Sequence, residues 1–291
     1  MTAQPVLVST RAELADLLAS RRTAGQRVAL VPTMGALHEG HAGLMRLARE
    51  RVGDGPVVVS VFVNPLQFAP GEDLDRYPRT LDDDLVVCGR EGVDVVFAPS
   101  VDEVYPGGEP AVTVEPGPLA TVLEGLTRPG HFRGVLTVVA KLFGLVRPDV
   151  AVFGEKDYQQ LVLIRRMAAD LCLGVEVVGA ETAREPDGLA LSSRNRFLDS
   201  EERFEAAGLS ATLRAAQAAA AEGVDAALDA ARTELRSSLG VDLDYVEITA
   251  PDLTPLPPDP VPGTEARILI AARVGSTRLI DNLPLTIGRT S

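Results

Sequence analysis

Histidine is scarce in this chain, three among 291 residues, and cysteine is scarcer still, at two. Basic residues also run short, 28 against 41 acidic, for a formal charge of −13. Each shortage excludes something. Cys88 and Cys172 are too few for the disulfide framework of a small secreted domain and lack metal-site spacing. Both are expected as buried free thiols in a reducing cytoplasm. The deficit of Lys and Arg argues against gripping nucleic acid through its phosphates, and the acidity reads as serving solubility. No apolar run reaches the roughly 18 residues of a membrane helix, and no apolar h-region opens the N-terminus. The expectation is a cytoplasmic protein with neither membrane nor nucleic acid as partner. What the chain has in quantity is apolar residues, 46%, enough to fill one large core or two ordinary ones.

Thr10-x-x-Glu13 is a capping box and opens a helix through about Arg22. Val-rich runs at 28–31, 57–63, 93–98, 150–153 and 175–178 then alternate with helical patterns at 41–51, 80–91, 134–146 and 157–171. Alternation of this kind predicts a parallel sheet covered by helices, and near-continuous apolarity predicts strands buried on both faces. After residue 182 the texture changes. Glu185-Pro186-Asp187-Gly188 is a turn signal. An Ala-rich helical stretch at 200–239, interrupted near Gly223, is anchored by Leu209, Leu213, Leu228 and Leu235. A strand at 245–248, a proline-rich connector at 251–262 and strands at 267–273 and 277–280 follow. The expected class is α/β: a parallel-sheet domain over 1–182, then a smaller α+β domain over 183–291. No internal repeat is visible.

Two of the three histidines fall within Val31-Pro32-Thr33-Met34-Gly35-Ala36-Leu37-His38-Glu39-Gly40-His41. An apolar run precedes this segment, and the helical spacing of Leu44, Leu47 and Ala48 follows it. His38 and His41 are thereby placed at a strand–helix junction, where open α/β sheets bind ligands. Unpaired N–H groups and positive partial charge at a helix start suit phosphate. Imidazoles add donors whose charge responds to pH near neutrality, and Gly35 and Gly40 let a base or phosphate approach the backbone. A zinc-protease pair would need i, i+4 spacing and a third ligand. Here the spacing is i, i+3, and the one other histidine is His131. The segment reads as a nucleotide-phosphate site, with structural histidines as the bland alternative.

Phe153-Gly154-Glu155-Lys156-Asp157-Tyr158-Gln159-Gln160 repeats this logic. Lys156 at a helix start opposes the dipole, a cost that an anionic ligand would offset. Asp157 suits a first turn or a ribose hydroxyl, and Lys156 shares a helix face with Gln160. The alternative is a capped surface helix with a solvated lysine. In Val61-Phe62-Val63-Asn64-Pro65-Leu66-Gln67-Phe68, Pro65 stops a strand beside two amides, Asn64 and Gln67, that donate and accept. An ordinary loop is the alternative there. Leu191-Ser192-Ser193-Arg194 offers hydroxyls and a guanidinium to phosphate, a weak signal alone. Asp82-Asp83-Asp84, after Tyr77-Pro78-Arg79-Thr80, reads as a helix first turn, with a Mg²⁺ role as the minority reading. His131, beside the turn at Pro129-Gly130, faces an anion or solvent.

Taken in order and spacing, these segments resemble the pantothenate synthetase family of the HIGH-motif nucleotidyltransferase superfamily, in an actinobacterial-type form, over nearly the whole chain. The resemblance implies a Rossmann-like ATP- and pantoate-binding domain over 1–182 and a C-terminal α+β lid domain over 183–291. It implies two steps. Pantoate carboxylate attacks the α-phosphate of MgATP, giving pantoyl adenylate and pyrophosphate; β-alanine then attacks the acyl carbon, giving pantothenate and AMP. By the same resemblance Met34, Gly35, Ala36, Leu37, His38, Glu39, Gly40 and His41 form the first ATP-binding segment. His38 and His41 would serve the phosphates and transition state, with His41 as proton donor. Gly154, Glu155, Lys156 and Asp157 would bind ATP, Lys156 acting catalytically on phosphate and Asp157 lying near ribose. Ala183 would meet adenine, and Leu191, Ser192, Ser193 and Arg194 would form a mobile phosphate loop. Gln67 and Gln160 would hold pantoate, Gln67 also facing β-alanine. ATP with Mg²⁺, no protein-held metal, and a homodimer are implied as well. Leu191 stands where methionine is common and Ala183 where valine is, positions that act through backbone or apolar contact. The alternative is another HIGH-type nucleotidyltransferase acting on a small phosphate ester. It would share His38 and His41 without needing Gln67 and Gln160 together. A non-catalytic alternative, a nucleotide-sensing module, would bind ATP without forming AMP.

Overall fold

The computed structural model describes residues 4–68 and 73–288. Two compact units emerge: Met1–Glu155 with Gln159–Glu181, and Lys156–Tyr158 with Thr182–Ser291.

In the first unit, β1 (Val6–Val8) leads into α1 (Arg11–Thr23). The Thr10 hydroxyl accepts the Glu13 N–H, and the Glu13 carboxylate accepts the Thr10 N–H, so the capping box is present. There follow β2 (Ala29–Thr33), α2 (Glu39–Val52), β3 (Val57–Val61), α3 (Leu81–Arg90), β4 (Val95–Phe97), the short α4 (Val101–Val104) and α5 (Glu124–Thr127), α6 (His131–Val146), β5 (Val150–Gly154), α7 (Tyr158–Asp170) and β6 (Glu176–Ala180). The six strands are parallel in the order β1-β4-β3-β2-β5-β6. Met45 and Ala48 of α2 pack with Val31, Val57, Val59, Val150 and Val152 of the sheet. Each fully buried Val or Met side chain among these contributes about 1.5–3 kcal/mol.

Edge strand β1 is not foreseen from sequence. Three residues, two of them exposed, carry no readable period. Helices α2 and α6 start at Glu39 and His131, earlier than their apolar spacing indicates, because their first turns are polar.

Chain order reverses between β2 and β5. From β2 the chain steps outward through β3 and β4, then returns to lay β5 on the other side of β2. Ligands bind at such switch points, beyond the carboxyl ends of the strands. β2 pairs with β3 at five positions, Ala29 through Thr33, but with β5 only at Ala29–Val150 and Leu30–Ala151. The two central strands therefore part toward the ends that carry the histidine and Gly154 motifs.

The second unit holds α8 (Ser200–Ala219), α9 (Val224–Leu235), β7 (Val241–Thr249), β8 (Thr264–Val274) and β9 (Thr277–Ile287). The strands form an antiparallel sheet in the order β7-β8-β9. Leu209, Leu213, Ala227 and Ala231 of the helices pack against Ala266, Ile268, Ile270 and Ala272 of β8. The strand expected to stop at Ile280 runs to Ile287. Asp281, Asn282 and Pro284 have turn chemistry, yet each is accommodated. Arg184 donates to both Asp281 carboxylate oxygens, at 2.7 and 2.9 Å. Pro284 lies on an edge strand, where a missing N–H is tolerated.

Cys88 is buried on α3, and burial pushes its thiol up to about 12. Cys172 departs from expectation: it is exposed, in the turn after α7, with φ +51°. Among the described residues no helix is long and apolar enough to cross a membrane.

Candidate active site

His38 is the N-cap of α2. Its Nδ1 accepts the Gly40 N–H at 3.2 Å, and His41 Nδ1 accepts the His38 N–H at 3.3 Å. The two imidazoles thus form a reciprocal cap on the donors that a helix start leaves unpaired. A backbone N–H can only donate, so each Nδ1 is the lone-pair nitrogen and each neutral ring carries its proton on Nε2. Ring centroids lie 4.1 Å apart. Two Nε2–H donors therefore sit together where the helix dipole already favours an anion.

The loop before this helix is clamped by Asp84, one of the three acids read from sequence as a first turn. Asp82 and Asp83 are exposed as that reading expects, but Asp84 is 1% exposed. Its Oδ1 accepts the Leu37 N–H at 2.8 Å and its Oδ2 accepts the Ala36 N–H at 3.2 Å. Gly35 and Ala36 both have positive φ, +83° and +52°. A Cβ on Gly35 would stand 2.9 Å from Asp84 Oδ2 and 3.0 Å from Val61 Cγ1, so only glycine fits. Burial raises the Asp84 carboxyl above its ordinary value, partly countered by the Leu37 and Ala36 N–H groups. A signal existed: Leu81, Asp84, Leu85 and Cys88 share one helical face, and that face is apolar except for Asp84.

Gln67 closes a 3-10 turn, Pro65–Gln67. Its Nε2 lies 3.0 Å from Met34 Sδ, which brings the amide to the histidine loop. Its Oε1 accepts Asn64 Nδ2 at 3.2 Å. Asn64 is 1% exposed, donates to the Gly134 carbonyl at 3.1 Å and accepts the Tyr105 hydroxyl at 2.8 Å. Far from being an ordinary loop, this turn is pressed onto α6. A Cβ at Gly134 would lie 2.2 Å from the Leu66 carbonyl oxygen.

His131 contacts the Gln67 main chain, an arrangement that neither sequence reading anticipated. Its Nδ1 is 2.8 Å from the Gln67 carbonyl, and its Nε2 is 3.0 Å from Arg128 Nη1. A guanidinium only donates, so Nε2 accepts and Nδ1–H points at the carbonyl.

The adjacent glutamines of α7 differ in employment. Gln159 is 3% exposed; its Oε1 accepts the Glu124 N–H, and its Nε2 donates to the Leu119 and Val122 carbonyls. Gln160 is half-buried, and among the described residues no protein group takes its amide.

Gly154 ends β5, the strand beside β2 at the switch point. Glu155 closes that stretch of the first unit, whereas Lys156 and Asp157 group with the second. Lys156 Nζ lies 3.7 Å from Asp157 Oδ1. In the second unit Ala183 and Leu191 come together through a 2.8 Å bond from the Leu191 N–H to the Ala183 carbonyl. The Ser192 hydroxyl accepts the Arg194 N–H at 3.2 Å and caps the 3-10 turn Ser193–Phe197.

Comparison with known proteins adds the following. Residues 6–284 match the family described as pantoate-beta-alanine ligase. A pantothenate synthetase of Nocardioides sp. is 71% identical, over 99% of this chain and 87% of that protein. One from Mycolicibacterium smegmatis is 55% identical, over 97% and 88%. The crystal structure of pantothenate synthetase from Thermus thermophilus is similar with a TM-score of 0.88 and 51% identity, covering 96% of this chain and 98% of that one. The pantoate-beta-alanine ligase from Francisella tularensis, complexed with beta-gamma ATP and beta-alanine, gives a TM-score of 0.78 and 34% identity, covering 96% and 97%.

Proposed function

The chain belongs to the pantoate-beta-alanine ligase family and joins pantoate to β-alanine with ATP, making pantothenate; we propose that it does so through pantoyl adenylate, formed at the His38–His41 helix end. A carboxylate does not react with an amine until one of its oxygens belongs to a good leaving group. In the first step a pantoate carboxylate oxygen attacks the α-phosphorus, and the bond to pyrophosphate breaks. In the second the β-alanine amine attacks the acyl carbon, and AMP leaves with the bonding pair.

The observation that carries this reading is the imidazole cap. Both Nδ1 atoms accept backbone N–H groups, which fixes both rings as Nε2–H tautomers held at a helix N-terminus. Preset donors need no reorganisation as charge develops on the phosphate oxygens, and each is worth about 10²–10³ in rate. His38 and His41 take that role, with His41 as the proton donor, and Met34 through His41 bind ATP. Gly154, Glu155, Lys156 and Asp157 serve the same nucleotide, Lys156 on phosphate and Asp157 near ribose. Ala183 meets adenine, and Leu191, Ser192, Ser193 and Arg194 serve phosphate. Gln67 and Gln160 hold pantoate, and Gln67 faces β-alanine. The Met34–Gln67 contact supports placing the acid beside the nucleotide loop.

Mg²⁺ belongs to this reading as part of MgATP. Among the described residues no three His, Cys, Asp or Glu side chains converge on a metal, and an ion held by phosphate oxygens and water requires none. An acyl adenylate must be kept from water, a task assigned to the C-terminal portion, 183–291. A cytoplasmic homodimer completes the proposal. The test is ATP–pyrophosphate exchange: it should require pantoate and proceed without β-alanine. Exchange that is absent with pantoate alone would remove the adenylate.

A further inference from the structure

β8 is buried on both faces. Ala266, Ile268, Ile270, Ala272 and Val274 enter the core beneath α8 and α9. The intervening Arg267, Leu269 and Ala271 are buried as well, at 7%, 4% and 0% exposure. A cation in the middle of an apolar strand is an expensive placement unless its hydrogen bonds are met. Here Arg267 Nε donates to Asn282 Oδ1 at 2.8 Å, and the guanidinium carbon lies 3.8 Å from the centroid of the Tyr158 ring. Asn282, across the ladder on β9 and 2% exposed, donates from Nδ2 to the Lys156 carbonyl at 3.0 Å. The Tyr158 hydroxyl donates to the Pro251 carbonyl at 2.9 Å.

We propose that Arg267 and Asn282 are positioning residues for Lys156, setting from the C-terminal sheet where the phosphate-directed lysine starts its reach. Lys156–Tyr158 is flanked in sequence by the first unit yet groups with the second. The three contacts supply the reason: an amide on the Lys156 carbonyl, a guanidinium on the Tyr158 face, and a carbonyl on the Tyr158 hydroxyl. A lysine stem has four rotatable bonds, so the placement of its main chain decides which anion the ammonium can meet. Asn282 orients the Lys156 main chain, and Arg267 orients Asn282 by occupying its Oδ1, which leaves Nδ2 to face Lys156. The inference rests on the reading that Lys156 serves the ATP phosphates.

The experiment is a double-mutant cycle read by pantoate-dependent ATP–pyrophosphate exchange. A shift of about 1 Å in a positioned group can cost ~10²-fold, so Asn282→Ala should lower kcat/KM for ATP by about 10- to 100-fold while KM for pantoate holds. In a Lys156→Ala background, where the main-chain carbonyl remains but the ammonium is gone, the same change should cost almost nothing. Arg267→Lys keeps the charge but loses the stacking plane and Nε–H. It should reproduce the ATP-specific loss, and it carries the test if Asn282→Ala melts below the assay temperature. An equal loss in both backgrounds, or equal damage to the ATP and pantoate parameters, would mean a merely structural network and overturn the proposal alone. A Lys156→Ala enzyme with near-normal exchange would overturn the role of the lysine itself, and the positioning with it.

Discussion

Asp84 Oδ1 accepts the Leu37 N–H at 2.8 Å, joining positions 47 apart in the chain. Through this bond and its partner on Ala36, a buried carboxylate holds the backbone that delivers His38 and His41 to the start of α2. Desolvation raises the carboxyl of Asp84, so in the window between its ordinary value of 3.8 and the raised one the folded protein binds a proton that the unfolded chain does not. There stability rises as pH falls. Asp84→Asn abolishes this contribution. Measured by denaturant unfolding, wild type should gain on the variant as pH falls through the window and run parallel to it above. A gain in the opposite direction would mean that the carboxyl is lowered. At neutral pH the variant sets an amide N–H against the Ala36 N–H, and exchange should drop about tenfold or more through loop displacement.

His41→Ala removes one Nε2–H donor and also the acceptor for the His38 N–H. Loss of a helix cap costs about 1 kcal/mol, so a thermal melt should fall by a few degrees only. Pantoate-dependent exchange should fall by about 10²–10³. A variant with ordinary exchange would strip His41 of its assigned role.

Gly134→Ala tests the seat of the 3-10 turn. The added methyl would meet the Leu66 carbonyl oxygen at 2.2 Å, and overpacking of this sort costs about 1–3 kcal/mol. The turn carrying Gln67 must shift. Steady-state kinetics should therefore show a raised KM for pantoate with KM for ATP little changed.

The two cysteines should be distinguishable by a thiol reagent. Cys172 is exposed, whereas Cys88 is buried with its thiol raised to about 12. Reaction needs both thiolate and access. Native protein should take up one equivalent of a chromogenic disulfide at mildly alkaline pH, and a second only after denaturation. Peptide mapping should place the first at Cys172.

Much of the molecule is legible in its sequence. Val-rich runs alternating with helical spacing led to a parallel sheet, and five of its six strands lie where those runs do, β1 being the exception. His38 and His41 were placed at a strand–helix junction by flanking apolarity alone, and that is where α2 begins. The misreadings have two separate causes. Asp281, Asn282 and Pro284 have the composition of a turn, but lie in β9 because Arg184, Arg267 and an edge position satisfy them. The apolar neighbours of Cys172 point to the interior, yet it lies exposed just past the end of α7.

Local patterns could settle what is settled locally. Strand and helix periods, helix starts and the ordered motifs all lie within short windows of chain, and from them came the α/β class and the candidate residues. The partners of buried polar groups are a different matter. Asp84 reaches Leu37 across 47 positions, His131 reaches the Gln67 carbonyl across 64, and Asn282 reaches the Lys156 carbonyl across 126. A buried donor or acceptor must be paired, but composition does not say with whom. Only the tertiary fold, by bringing those segments within bonding distance, decided that an acid read as part of a helix first turn clamps the loop before α2, and that Asn282 of a C-terminal strand bonds the Lys156 carbonyl.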